Sequence, residues 1–216
     1  VGEPQPLPTS GRDLLLAVDV SGSMDYADMQ WEEEEVSRLT LVKHLIGEFI
    51  DGRRGDRIGL ILFGSQAYLQ APLTFDRQTV HTWLDEALSL IDQLTEGPLI
   101  VIGSSMGGWI ALHVALRRPD RVQALVGIAA APDFTGWGFT WSQKQTLLSA
   151  GRLEVPNPYG PEPQVTTRGF WESGERLRLL ADSITVKCAV RLIHGDADED
   201  VPLVVATKLF RQLRSA

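Results

Sequence analysis

The chain has a single cysteine, Cys188, which excludes an intramolecular disulfide framework. Cys188 begins the apolar run Cys188-Ala189-Val190 and reads as a core residue, not a nucleophile. No apolar stretch approaches the roughly 18 residues that a membrane span needs. Basic clusters are also missing. Lys and Arg number 20 against 28 Asp and Glu, a formal charge of −8, so no nucleic-acid footprint is present. There is no repeat and no low-complexity tract. The chain starts Val1-Gly2-Glu3-Pro4, without Met or a signal peptide; this reads as a processed fragment of a soluble protein, consistent with the cytoplasm.

What is present is ordinary globular material. Hydrophobic residues make up 44% and charged residues 22% of 216, enough for one domain with a real core. Residues 1–12 are Pro-rich and read as an extended arm. Apolar runs predict strands at Asp13–Val20, Arg57–Phe63, Leu99–Ile102, Val122–Ala130 and Val190–Ile193. Ala67–Leu73 is a further candidate, placed at an edge by Pro72. Helical spacing predicts helices over Trp31–Ile50, Arg77–Leu94, Met106–Leu116 and Leu203–Leu213. Glu32 to Glu35 are expected in the first turn of the first helix, where negative charge meets the positive end of the dipole. Residues 133–184 are rich in Pro, Gly and Trp, with helical fragments near 141–150 and 168–181; they read as an inserted cap. Strands alternating with helices predict an α/β fold with a mostly parallel sheet, whose function sits at the carboxyl ends of the strands.

Three strand ends carry chemistry. Asp19, Ser21 and Ser23 alternate in a tight turn after the first strand, and hard oxygens at this spacing suit Mg²⁺. Gly103-Ser104-Ser105-Met106-Gly107 follows a strand and opens a helix, the setting of a nucleophile elbow with Ser105 exposed and the Met106 N–H as an oxyanion donor. His194-Gly195-Asp196-Ala197-Asp198-Glu199-Asp200 follows the last strand, where a carboxylate could orient a catalytic histidine.

The run GRDLLLAVDVSGSM, continued by TLVKHLIGEFIDGRRGDRIGLILFGSQAYLQAPLTFDR, resembles a von Willebrand factor A domain of the bacterial aerotolerance type over about residues 1–80. The resemblance implies a metal-ion-dependent adhesion site (MIDAS) on Asp19, Ser21 and Ser23. The family's Thr and second Asp are missing, and Thr74 lies too early to serve, so at most weakly bound Mg is expected. The runs PLIVIGSSMGGWIALHVALRRPDRVQALVGIAAAPDFT and AVRLIHGDADEDVP resemble an α/β-hydrolase of the serine carboxylesterase and acyl-protein thioesterase kind over about residues 82–216. That resemblance implies Ser105 as nucleophile and Asp198 as acid. Its histidine is absent after Asp198; the four histidines are His44, His81, His113 and His194.

Together the two resemblances imply one chimeric α/β domain joined near residues 80–84. With six expected strands numbered along the sequence, it would be a three-layer, doubly wound, mostly parallel sheet of order 3-2-1-4-5-6. The third strand is antiparallel, and the cap follows the fifth. The expected function is a recombined or designed scaffold with no efficient activity and vestigial Ser105, Asp198 and Met106. The alternatives are a weak serine ester or thioester hydrolase acting on a small acyl ester through Ser105, and a divalent-metal-dependent protein-binding module through Asp19, Ser21 and Ser23.

Overall fold

The computed structural model describes residues 13–19, 24, 26–52, 57–63, 80–156 and 163–215. The front part gives β1 (Asp13–Asp19), β2 (Met29–Trp31), β3 (Glu34–Val36), α1 (Arg38–Asp51), β4 (Arg57–Phe63) and α2 (Val80–Leu94). Next come β5 (Leu99–Ser104), α3 (Met106–Arg117) and β6 (Val122–Ile128). The cap holds α4 (Phe134–Trp137), α5 (Trp141–Ala150), β7 (Arg152–Val155), β8 (Gln164–Thr167) and α6 (Arg168–Glu175). The chain closes with β9 (Ile184–Val186), β10 (Ala189–Ile193), α7 (Leu203–Gln212) and β11 (Leu213–Ser215).

The central sheet has five strands in the order β10-β6-β5-β1-β4, and every pairing in it is parallel. This is the predicted order for the five predicted strands that are described. The sixth, antiparallel strand at Ala67–Leu73 lies outside the described residues, as does the extended arm. β10, β6 and β5 from the back segment and β1 and β4 from the front segment lie side by side in one continuous sheet. β1 lies between the edge strand β4 and the central strand β5, where the strand order reverses and parallel sheets open a crevice.

The core lies between the sheet and the α2–α3 pair. α2 buries Val80, Leu84, Ala87, Leu88 and Ile91, the stripe expected from helical spacing. Its first N–H donates to Ser173 Oγ at 3.0 Å, which ties the start of the helix to α6. α3 is almost wholly buried from Gly107 to Ala115. Trp109 is fully inaccessible, and its Nε1 donates to the Leu177 carbonyl at 3.2 Å. Buried Asp133 accepts N–H bonds from Leu179 (2.6 Å) and Leu180 (2.9 Å). The two ends of the cap are thereby pinned to each other and to α3. Cys188 is buried, as expected, and burial pushes its thiol above the usual range.

The first helix is shorter than its apolar spacing predicts. Glu32 (φ 50°) and Glu33 (φ 74°) form a turn joining β2 to β3. Helix begins only after Ser37, whose Oγ accepts the Thr40 N–H at 3.1 Å, an N-cap bond. Four consecutive glutamates repel one another in a helix, while the hairpin spreads them over a turn and a strand. In the cap, the helices at Trp141–Ala150 and Arg168–Glu175 match the expected helical fragments, the second ending short of 181, and β7 and β8 pair antiparallel where no strand was expected. These strands have four residues each, too short for a periodic signal.

His113 gives this core a pH dependence. It is 5% exposed; its Nε2 donates to the Leu177 carbonyl at 2.8 Å, and Arg117 donates to its Nδ1 at 2.9 Å. Burial lowers its pKa to about 4, the Leu177 bond opposes that shift, and the charge of Arg117 adds to it. The unfolded chain therefore binds this proton more readily than the folded one. The stabilising contribution is complete above about pH 6.5 and is lost as pH falls toward 4. The full shift corresponds to roughly 3 kcal/mol. Urea unfolding between pH 7 and pH 4.5 should show the loss, and His113→Gln should flatten the profile; an equally steep profile in the variant contradicts the assignment.

Candidate active site at the carboxyl ends of the strands

The site is built on the turn between β5 and α3. Ser105 has φ 49° and ψ −122°, a conformation that is costly for a residue with a side chain. Packing enforces it. A Cβ on Gly103 would lie 2.3 Å from the Gly107 carbonyl oxygen, and one on Gly108 would lie 2.5 Å from Ala130 Cβ. The missing side chains let α3 start directly on the strand end. Backbone bonds then lock the elbow: Ser105 N donates to Ile128 O at 3.0 Å, and Ser105 O accepts from Gly108 N and Ala131 N, each at 3.0 Å. Ser105 is half-buried. Among the described residues no side chain hydrogen-bonds its hydroxyl. The Met106 N–H opens α3, where the first N–H groups lack intrahelical acceptors and the dipole favours developing negative charge.

Asp198 lies in the loop after β10, two strands from Ser105. Its Oδ1 accepts from the N–H groups of Asp200 (3.0 Å) and Val201 (2.9 Å). Its Oδ2 lies 4.0 Å from His194 Nε2. That imidazole donates to the Val201 carbonyl at 2.8 Å, while its buried Nδ1 has no partner among the described residues. The strand ends are linked, since Ala129 N donates to Ile193 O at 2.8 Å, so the elbow and the acid loop share one rim.

The other histidines are engaged elsewhere. His44 stacks on Trp31 at 5.5 Å, His81 pairs with Asp85 at 2.9 Å, and His113 is fixed in the core. Sequence reading missed one connection. Arg38 donates to Asp200 Oδ2 at 2.7 Å and to Asp28 at 2.6 Å. A partner 162 positions away leaves no local trace in the sequence. Asp19 ends β1, and Ser21 and Ser23 lie outside the described residues. Among the described residues no group of three or more His, Cys, Asp or Glu could hold a metal ion, and no helix is long and apolar enough to cross a membrane.

Two family models match, the von Willebrand factor type A domain at residues 14–100 and the α/β-hydrolase fold at residues 70–157. Known structures separate them. A protein of Agrobacterium vitis S4 assigned as a hydrolase is 30% identical with a TM-score of 0.71, and the match covers 94% of this chain and 76% of that one. The chain belongs to the α/β-hydrolase family. Mouse α/β hydrolase domain-containing protein 10 is similar to this chain at TM-score 0.68 and 26% identity, over 95% of this chain and 78% of that one. The human palmitoyl-protein thioesterase ABHD10, mitochondrial, is 37% identical over 131 residues, 59% of this chain and 43% of its own length. The chain spans less than half the length of these curated relatives.

These likenesses overturn the scaffold reading. The match to hydrolase structures runs through the front segment as well as the back, and β1 and β4 occupy places in a hydrolase sheet. The von Willebrand likeness is a likeness of sequence pattern. Both families thread right-handed β–α–β units, so apolar runs and turns alone do not separate them. A recombined or designed chimera without efficient activity is therefore not the conclusion.

Proposed function

We propose that this hydrolase cleaves acyl thioesters, and more slowly acyl esters, through Ser105. The observation that carries the proposal is the strained elbow, which presents one serine hydroxyl at the N-terminus of α3, on the same rim as the carboxylate of Asp198. The names of the curated relatives support the thioester class. Ser105 Oγ attacks the acyl carbonyl carbon, and the Met106 N–H stabilises the oxyanion. The C–S bond then breaks and the thiolate leaves, with the acyl group on Ser105; the proton lost from the Ser105 hydroxyl ends on that sulfur, so the product is the free thiol. Water attacks this ester, releasing the carboxylic acid and restoring the serine.

Thioesters suit the site for a chemical reason. A thiol ionises near pH 8.5, so the thiolate departs without the proton an alkoxide requires. Asp198 has Oδ1 held by the loop N–H groups, and its Oδ2 lies 4.0 Å from His194 Nε2, which places a negative charge on the rim of the site.

Thiol release from an S-palmitoyl peptide tests the reading. Saturable release above buffer is expected, faster than alcohol release from the matching alkyl ester. Asp198→Asn should lower kcat about tenfold or more. No release from either substrate refutes the proposal.

A further inference from the structure

Arg38 opens α1, directly after the N-cap Ser37. A guanidinium there meets the positive end of the helix dipole, which disfavours it. Two carboxylates offset that repulsion. Asp28 takes one edge of the fork: Arg38 Nε donates to its Oδ1 and Oδ2 at 3.0 Å each, and Nη2 donates to Oδ2 at 2.6 Å. The guanidinium also lies 5.8 Å from the Tyr26 ring centre, and the Arg38 backbone N–H donates to the Tyr26 carbonyl at 2.9 Å. Contacts of this kind fix the plane of a guanidinium. Its remaining nitrogen, Nη1, donates to Asp200 Oδ2 at 2.7 Å.

Asp200 links this cluster to the acid loop. Its side chain is held by Arg38, while its N–H donates to Asp198 Oδ1 at 3.0 Å. The other donor to that oxygen, the Val201 N–H, belongs to a residue buried in the core. The loop thus has an inner anchor at Val201 and an outer anchor at Arg38. The outer anchor acts on a stretch where Asp196, Asp198, Glu199 and Asp200 repel one another. In the sheet, β5 and β6 separate β1 from β10, so these two strands stand about 14 Å apart. Ser105 sits at the end of β5, between them. The Arg38–Asp200 bond therefore ties the chain that leaves β1 to the far side of the elbow. We propose that Arg38 is a positioning residue for the reaction at Ser105: through Asp200 it holds the Asp198 carboxylate in its place on the rim. The inference rests on the proposed thioester chemistry.

Thiol release from an S-palmitoyl peptide, urea unfolding and hydrogen exchange of the 195–201 loop, measured on the same variants, test it. Exposed ion pairs contribute little to stability, so Arg38→Ala should unfold at the wild-type urea midpoint. Its kcat should fall about three- to tenfold, as expected of a displaced group, with KM within about twofold of wild type. Arg38→Lys keeps the charge but not the fork and should recover part of the loss. Asp200→Ala removes the acceptor but keeps the N–H bonded to Asp198, and should match Arg38→Ala. The loss should vanish in the Asp198→Asn background, because residues that act through one another are not additive. The amide hydrogens of Asp200 and Val201 should exchange faster in Arg38→Ala. An unchanged kcat, a loss that persists undiminished beside Asp198→Asn, or unchanged loop exchange overturns the role of Arg38 and leaves the thioester reading standing. Absence of release by the wild type refutes the thioester reading instead, and the role of Arg38 with it.

Discussion

Ser105→Ala is expected to remove all catalysed hydrolysis, a loss of roughly 10³-fold or more, while leaving the fold intact. The hydroxyl makes no hydrogen bond among the described residues, so its removal strands no buried partner. The elbow is held instead by backbone bonds to Ile128, Gly108 and Ala131, which alanine keeps. Alanine also keeps the strain, because φ 49° is costly for any residue with a Cβ. Ser105→Gly relieves it and should stabilise the protein by about 1 kcal/mol while abolishing activity equally. Urea unfolding beside thiol release separates the two effects. A Ser105→Gly variant less stable than wild type would show that the elbow is not strained. Retained turnover in Ser105→Ala would place the nucleophile elsewhere.

Gly103→Ala is expected to cost about 3 kcal/mol or more and to abolish activity as well. The added Cβ would lie 2.3 Å from the Gly107 oxygen, 2.5 Å from its carbonyl carbon and 2.8 Å from Gly108 N. All three are backbone atoms in the first turn of α3, so no rotamer change relieves the clash. α3 must shift, and it is the most deeply buried helix of the core. Gly47→Ala is the control. Gly47 lies inside α1 with nothing within 4 Å of an added Cβ, and alanine there should stabilise by about 1 kcal/mol. Both variants can be compared by urea denaturation. Similar stability for Gly103→Ala and wild type would mean that helix and strand are not in contact as described.

Local rules carried much of this in the sequence. The runs at β1, β4, β5, β6 and β10 are short, apolar and bounded by breakers, and each is a strand. G-x-S-x-G placed Ser105 at a turn, and Asp198 lies at the predicted strand end. Contacts between distant residues were not legible. Arg38 meets Asp200, and Asp133 holds the N–H groups of Leu179 and Leu180, without any local pattern. The β2–β3 hairpin was masked by apolar residues that continue in helical spacing across Ser37, so the cap was the better signal. Family assignment failed for the front segment because a β–α–β pattern is common to both candidates. The strand order is the one expected under either reading, so the likeness to solved hydrolases over 94% of the chain decided it.

The most direct measurement of the central claim is covalent labelling of the native protein with a fluorophosphonate, read by intact mass and peptide mapping. The strong electrophile requires little beyond an accessible serine hydroxyl. The account predicts one adduct per chain, located on Ser105, absent from Ser105→Ala and lost when the protein is unfolded in urea before labelling. No adduct on the folded protein, or an adduct that persists in Ser105→Ala, would contradict it.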